Sequence, residues 1–118
     1  MPIGNVYVTF VIRVEEYLCV DETSPFSNWF EGLDTQAALK VNTYLTRIGN
    51  GNFSTVKGVG NGVFECRIDW GAGYRVYFGK DGEKLVILLG GGSKKRQQKD
   101  IDAAKVYWKE YKKRKKAK

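Results

Sequence analysis

The sequence predicts an α+β domain, with an antiparallel, mixed-edge sheet of about four to five strands, a helical hairpin toward the N-terminus and one helix at the C-terminus. Three observations predict it. Between residues 53 and 89, short stretches alternate apolar and polar residues and are separated by Gly-rich turns, the period-two pattern of strands. Residues 24–49 hold two helix-start signals, the second followed by a clear apolar stripe at helical spacing. Beyond Asp100, the residues Ile101, Ala104, Trp108 and Tyr111 form one helical stripe.

Taken in order, residues 6–20 read as a long first strand, with Val6, Val8, Phe10, Ile12 and Val14 on one face and Thr9, Arg13 and Glu15 on the other. Ser24 and Pro25 suit an N-cap and a first helical position, opening a short helix to about Leu33. Asp34 caps a second helix whose stripe is Ala37, Ala38, Val41, Leu45 and Ile48, and Gly49 stops it. A short strand is expected within 53–59, then a Gly60-Asn61-Gly62 hairpin turn, a strand over 63–69, a turn at 71–73 and a strand over 74–78. Asp81-Gly82 turns the chain into 84–89, whose near-continuous apolar run predicts a strand covered on both faces. Gly90-Gly91-Gly92 reads as a turn before the last helix, and the lysines from Lys112 on are expected to fray. With the helices on the apolar face, the other face should carry Arg13, Glu65, Arg67, Arg75 and Tyr77 as a cradle for a phosphate backbone.

The 118 residues fit a single domain, 1–118, with 112–118 as a basic tail. Cys19 and Cys66 lie in apolar runs, and two buried thiols in a reducing cytoplasm are expected. With no CxxC and no His, no metal site or cofactor is called for. No signal peptide or membrane-length apolar stretch is visible, which predicts a cytoplasmic protein without a membrane partner. From residue 94 on, twelve Lys and Arg face three acids, whereas residues 1–93 carry eight against ten. That polarity points to a polyanion at the C-terminal end.

Without His, Ser–His and Cys–His catalysis is excluded. Arg, Lys and Tyr suit cleavage of RNA, in which the ribose 2′-OH attacks the adjacent phosphate and cations stabilise the developing charge. A lysine crowded by other cations can serve as the base. Gly58-Val59-Gly60-Asn61-Gly62 precedes a strand and reads as turn glycines rather than a dinucleotide loop. The open start of the last helix is a place where backbone N–H groups can hold a phosphate.

The block Gly51-Asn52-Phe53, Val56-Lys57-Gly58, Gly62-Val63-Phe64-Glu65-Cys66-Arg67-Ile68, Gly73-Tyr74-Arg75-Val76-Tyr77-Phe78 and Gly90-Gly91-Gly92-Ser93-Lys94, with Gln97, Lys99-Asp100-Ile101 and Ala104, resembles the HigB-like, phage-associated branch of the RelE/ParE toxin superfamily. Phe30, Leu33-Asp34 and Ala37 are similar to that family's helical hairpin, so the resemblance spans about residues 26–111. It implies a RelE-like fold and the toxin half of a type II toxin–antitoxin pair. Such toxins typically cut mRNA in the ribosomal A site. The implied partners are the ribosome, mRNA and a helix-turn-helix, HigA-like antitoxin.

The resemblance also implies site residues. Arg67 and Arg75 would bind the scissile phosphate. Lys57 would be base or electrostatic partner, Lys94 or Lys95 a second cation or proton donor, and Tyr77 a base-stacking or phosphate-orienting group. Arg13, Lys95, Arg96, Gln97 and Lys99 would contact RNA. Other readings stay open: Arg67 paired structurally with Glu65 or Asp69, Lys57 an ordinary loop lysine, Tyr77 simple packing. The family often uses a His near the site and this chain has none, which leaves acid and base unassigned. Two further functions compete, a ParE-like toxin that poisons DNA gyrase by binding, and a degenerate relative that only binds nucleic acid or a protein.

Overall fold

Local capping sets the first two helices. Ser24 accepts a hydrogen bond from the Ser27 amide at 3.0 Å, and Pro25 begins α1, Pro25–Glu31. Asp34 accepts from the Ala37 amide at 2.8 Å and opens α2, Thr35–Gly49, which buries Ala37, Val41 and Ile48. The computed structural model describes residues 11–117. Its strands are β1 (Arg13–Glu16), β2 (Val56–Gly60), β3 (Val63–Ile68), β4 (Tyr74–Lys80) and β5 (Leu85–Ser93). A single 3-10 turn, Lys94–Arg96, leads into α3, Gln97–Lys116.

The five strands form one sheet in the order β1-β5-β4-β3-β2. β2 to β5 run as an antiparallel meander, and β1 pairs parallel to β5, with Arg13 opposite Leu85. Each face of the sheet has its own core. On one side Phe26, Val41 and Ile48 from the helices pack with Cys66, Val76, Phe78, Val86 and Leu88. On the other, Ile101, Ala104 and Trp108 of α3 cover Val63, Tyr77, Ile87 and Leu89. Alternate residues of β5 serve opposite cores, as a strand buried on both faces requires.

This arrangement corrects several expectations. The RelE-like architecture implied by the resemblance is overturned. The sheet is mixed, its first strand is parallel, α1 has only seven residues, strands fill the middle of the chain, and the longest helix is C-terminal. The helices do not share one face, so the face carrying Glu65, Arg75 and Tyr77 is no open cradle. The reason is legible in the packing: Val63, Ile87 and Leu89 share that face, and their burial draws α3 over it. The first strand covers 13–16 rather than 6–20, and residues 6–10 lie outside the described residues. After Tyr17 bonds to the Leu88 carbonyl, the chain turns between Cys19 and Thr23, with Glu22 at φ 68°.

Gly90, Gly91 and Gly92 are not a turn but the end of β5. Two of them are small because large groups rest on them: the Trp29 ring fills the space over Gly91, and the Asp100 carboxylate fills that over Gly92. Nor does α3 fray from Lys112 on: it continues to Lys116. Tyr111 donates to Asp81 at 2.6 Å, Lys115 reaches the same carboxylate at 2.5 Å, and Arg114 donates to the Leu18 carbonyl and the Tyr17 hydroxyl at 2.8 and 2.5 Å. The cations at this end also complement the helix dipole.

Candidate functional site

Cross-strand register assembles the site. Lys57 of β2, Glu65 of β3 and Tyr77 of β4 stand in one row, and Arg67 faces Arg75 in the next. Glu65 is fully buried. A carboxylate in that position is strongly unfavourable unless cations and donors surround it. They do: its Oε1 lies 3.3 Å from Arg67 Nε and 4.0 Å from Lys57 Nζ, and its Oε2 lies 3.6 Å from Arg75 Nε. Gln97, at the start of α3, donates its amide to Oε2 at 2.8 Å.

The three cations differ in access. Arg67 and Lys57 expose 54% and 53% of their side chains, whereas Arg75 exposes 6%. Arg75 donates Nη1 to the Gly73 carbonyl at 3.1 Å, and the Lys94 amide donates to the same carbonyl at 3.0 Å. One oxygen thus ties the β3–β4 turn, the buried guanidinium and the 3-10 turn together. Lys94 is exposed there. Lys95, Arg96 and Lys99 are also exposed and line a shallow depression with Gln98.

Three expected residues take other roles. Tyr77 is fully buried beneath α3, so no base can stack on it. Its hydroxyl has no hydrogen-bond partner among the described residues. Burial first, then the neighbouring Glu65 and Asp100 carboxylates, hold its phenol well above the ordinary value. Arg13 is not brought to the site. It lies on the β1 edge, 80% exposed and paired with Glu15, opposite the first residue of β5. Gln97, expected to contact RNA, has its amide committed to Glu65.

Sequence reasoning missed the importance of Glu65 and of Asp100. Glu65 looks like one more polar residue in an alternating strand, and only the row Lys57–Glu65–Tyr77 shows it as the hub. Asp100 sits in the first turn of α3, and one of its carboxylate oxygens is buried with no hydrogen-bond partner among the described residues. Burial raises its carboxyl above the usual range, and Arg96 only partly opposes this.

Three cations on one carboxylate leave the cluster positive, with Lys94 beside it. Such an arrangement can bind a phosphodiester and stabilise charge developing on it. Among the described residues, no three His, Cys, Asp or Glu side chains gather to hold a metal ion. No described helix is long and apolar enough to cross a membrane.

No protein-family model matches the chain. A Haemophilus influenzae protein, described as uncharacterized, is 44% identical over 88 residues, which cover 74% of this chain and 89% of the relative. The match is long on both sides, and the chain belongs to the same family as this Haemophilus influenzae protein.

Proposed function

We propose that the chain is a ribosome-dependent mRNA endoribonuclease that blocks translation in the cytoplasm, as the toxin of a type II toxin–antitoxin pair. The observation that carries this reading is the convergence of Lys57, Arg67 and Arg75 on one buried carboxylate, with Lys94 tied to the same corner. The substrate's own 2′-OH is the nucleophile. Arg67 grips a non-bridging phosphate oxygen from the solvent side, while Arg75 adds positive charge from beneath. The 2′-OH proton passes to solvent water, Lys57 supports the developing charge, and Lys94 delivers a proton to the departing 5′-oxygen. The products are a 2′,3′-cyclic phosphate and a 5′-hydroxyl. DNA lacks the attacking group and escapes.

The exposed cations of the 3-10 turn and α3 would hold ribosomal RNA through salt-dependent phosphate contacts. A helix-turn-helix antitoxin is the proposed neutralising partner. Primer extension on cellular mRNA after induced expression tests the reading. Breaks within reading frames are expected from the wild-type chain and not from Arg67→Ala. Intact mRNA together with a DNA-damage response would overturn it in favour of gyrase poisoning.

A further inference from the structure

The two oxygens of Glu65 face different surroundings. Oε2 is turned inward, taking the Gln97 amide at 2.8 Å and lying 3.6 Å from the buried Arg75. Oε1 meets the two half-exposed cations, Arg67 at 3.3 Å and Lys57 at 4.0 Å. Both outer contacts are longer than the roughly 2.7–2.9 Å of a tight charge-assisted bond. They fix a direction without saturating either cation. The inner contact to Gln97 is short and its donor is neutral, so it holds the carboxylate in place without neutralising it.

We infer that Glu65 is an internal counter-anion and a positioning residue, occupying Arg67 and Lys57 until an RNA phosphate takes them over. This inference rests on the cationic site proposed above. It gives Glu65 a cost as well as a use. Its negative charge competes with the phosphate and weakens binding, while its fixed place aims the two cations for the transition state. Gln97 secures that place from the first turn of α3, which makes the helix part of the site. A residue serving the fold alone would affect binding and turnover together, through loss of folded protein. A counter-anion moves them in opposite directions.

The test compares the full chain with its E65Q variant, which keeps the shape and removes the charge. Binding is measured by fluorescence anisotropy on a 2′-O-methyl RNA oligonucleotide, which cannot be cut, over a range of salt. Cleavage is measured on ribosomes programmed with mRNA. E65Q should bind about three- to tenfold more tightly, with a log–log salt slope steeper by about 1.4, because two cations are freed for phosphate on a single strand. Its cleavage rate should fall at least about tenfold, the loss of preorganised charge. A folded E65Q that binds no more tightly than wild type overturns the inference. Should E65Q fail to fold, Gln97→Met replaces it. There the carboxylate keeps its charge but loses its anchor, so RNA affinity should hold within about twofold while cleavage falls severalfold; wild-type cleavage by this variant overturns the inference. A wild-type chain that cuts no RNA sinks the proposed activity, and the binding comparison alone then decides the role of Glu65.

Discussion

The Asp100 carboxylate occupies the space that a Cβ on Gly92 would fill, so the first turn of α3 rests directly on the backbone of β5. Gly92 stands opposite Arg75 in β4, which places this contact beside the Glu65 cluster. Gly92→Ala should push Asp100 out and lift the start of α3. Overpacking of this kind costs about 1–3 kcal/mol. Urea denaturation should show that loss, and Asp100→Ala in the same chain should recover most of it.

Asp100 also sets a pH dependence. Burial holds its carboxyl above the ordinary value of 3.8. A raised value means that the protonated form is favoured in the fold, so its stabilising effect is present below pH 3.8 and is lost as pH rises through the folded value. At neutral pH the buried charge is therefore a burden. Asp100→Asn should raise the melting temperature at pH 7, and the gain should vanish in scans below pH 3.8. An equal gain at both pH values would show that the charge is not the cause.

The proposed catalytic residues call for different variants. Removing Arg75 strips Glu65 of its buried partner, and breaking such a pair costs about 3–5 kcal/mol. Loss of toxicity in Arg75→Ala would then report unfolding as much as chemistry. Arg67→Ala and Lys57→Ala remove half-exposed groups and should leave the melting temperature within a few degrees of wild type. Arg67→Ala should lower ribosome-dependent cleavage by about 100-fold, the scale of a lost transition-state donor. Wild-type cleavage by Arg67→Ala would remove it from the site.

The end of α3 is a clamp and not a loose tail. The hydrogen bonds from Lys115 and Tyr111 hold the Asp81 carboxyl below its ordinary value of 3.8. A lowered value means that the stabilisation is present above pH 3.8 and disappears as pH falls through the folded value. Asp81→Asn should speed amide exchange in the last two turns of α3 at pH 7. Deleting 112–118 should lower the melting temperature, because Arg114 and Lys115 leave with it. Neutralising only the exposed Lys109, Lys113 and Lys116 to Gln should instead keep the fold and flatten the salt dependence of RNA binding.

Much of the element pattern was legible because it rests on local chemistry. Ser24, Pro25 and Asp34 announce their helices through caps, and the alternation of 63–69 announces β3. The runs around β4 and β5 were equally readable. What depends on distant contacts was not. Nothing local in Gly90-Gly91-Gly92 separates a turn from a strand pressed by Trp29 and Asp100. The face assigned to α3 is set by the sum of Val63, Tyr77, Ile87 and Leu89, which three separate strands contribute. For the same reason the convergence of Lys57, Arg67 and Arg75 on Glu65, the burial of Tyr77 and the isolation of Arg13 needed the register.

The parallel pairing of Arg13 with Leu85 sets an order of assembly during synthesis. The meander from β2 to β5 joins neighbours in the chain and can form early, whereas β1 is made first and must wait for a partner made most of a chain length later. Gln97 and α3 arrive later still, and Glu65 lacks its amide donor until they do. A nascent chain still held by the ribosome that makes it would therefore carry Lys57, Arg67 and Arg75 without their final alignment. For the activity proposed above, that order would spare the chain's own template until release.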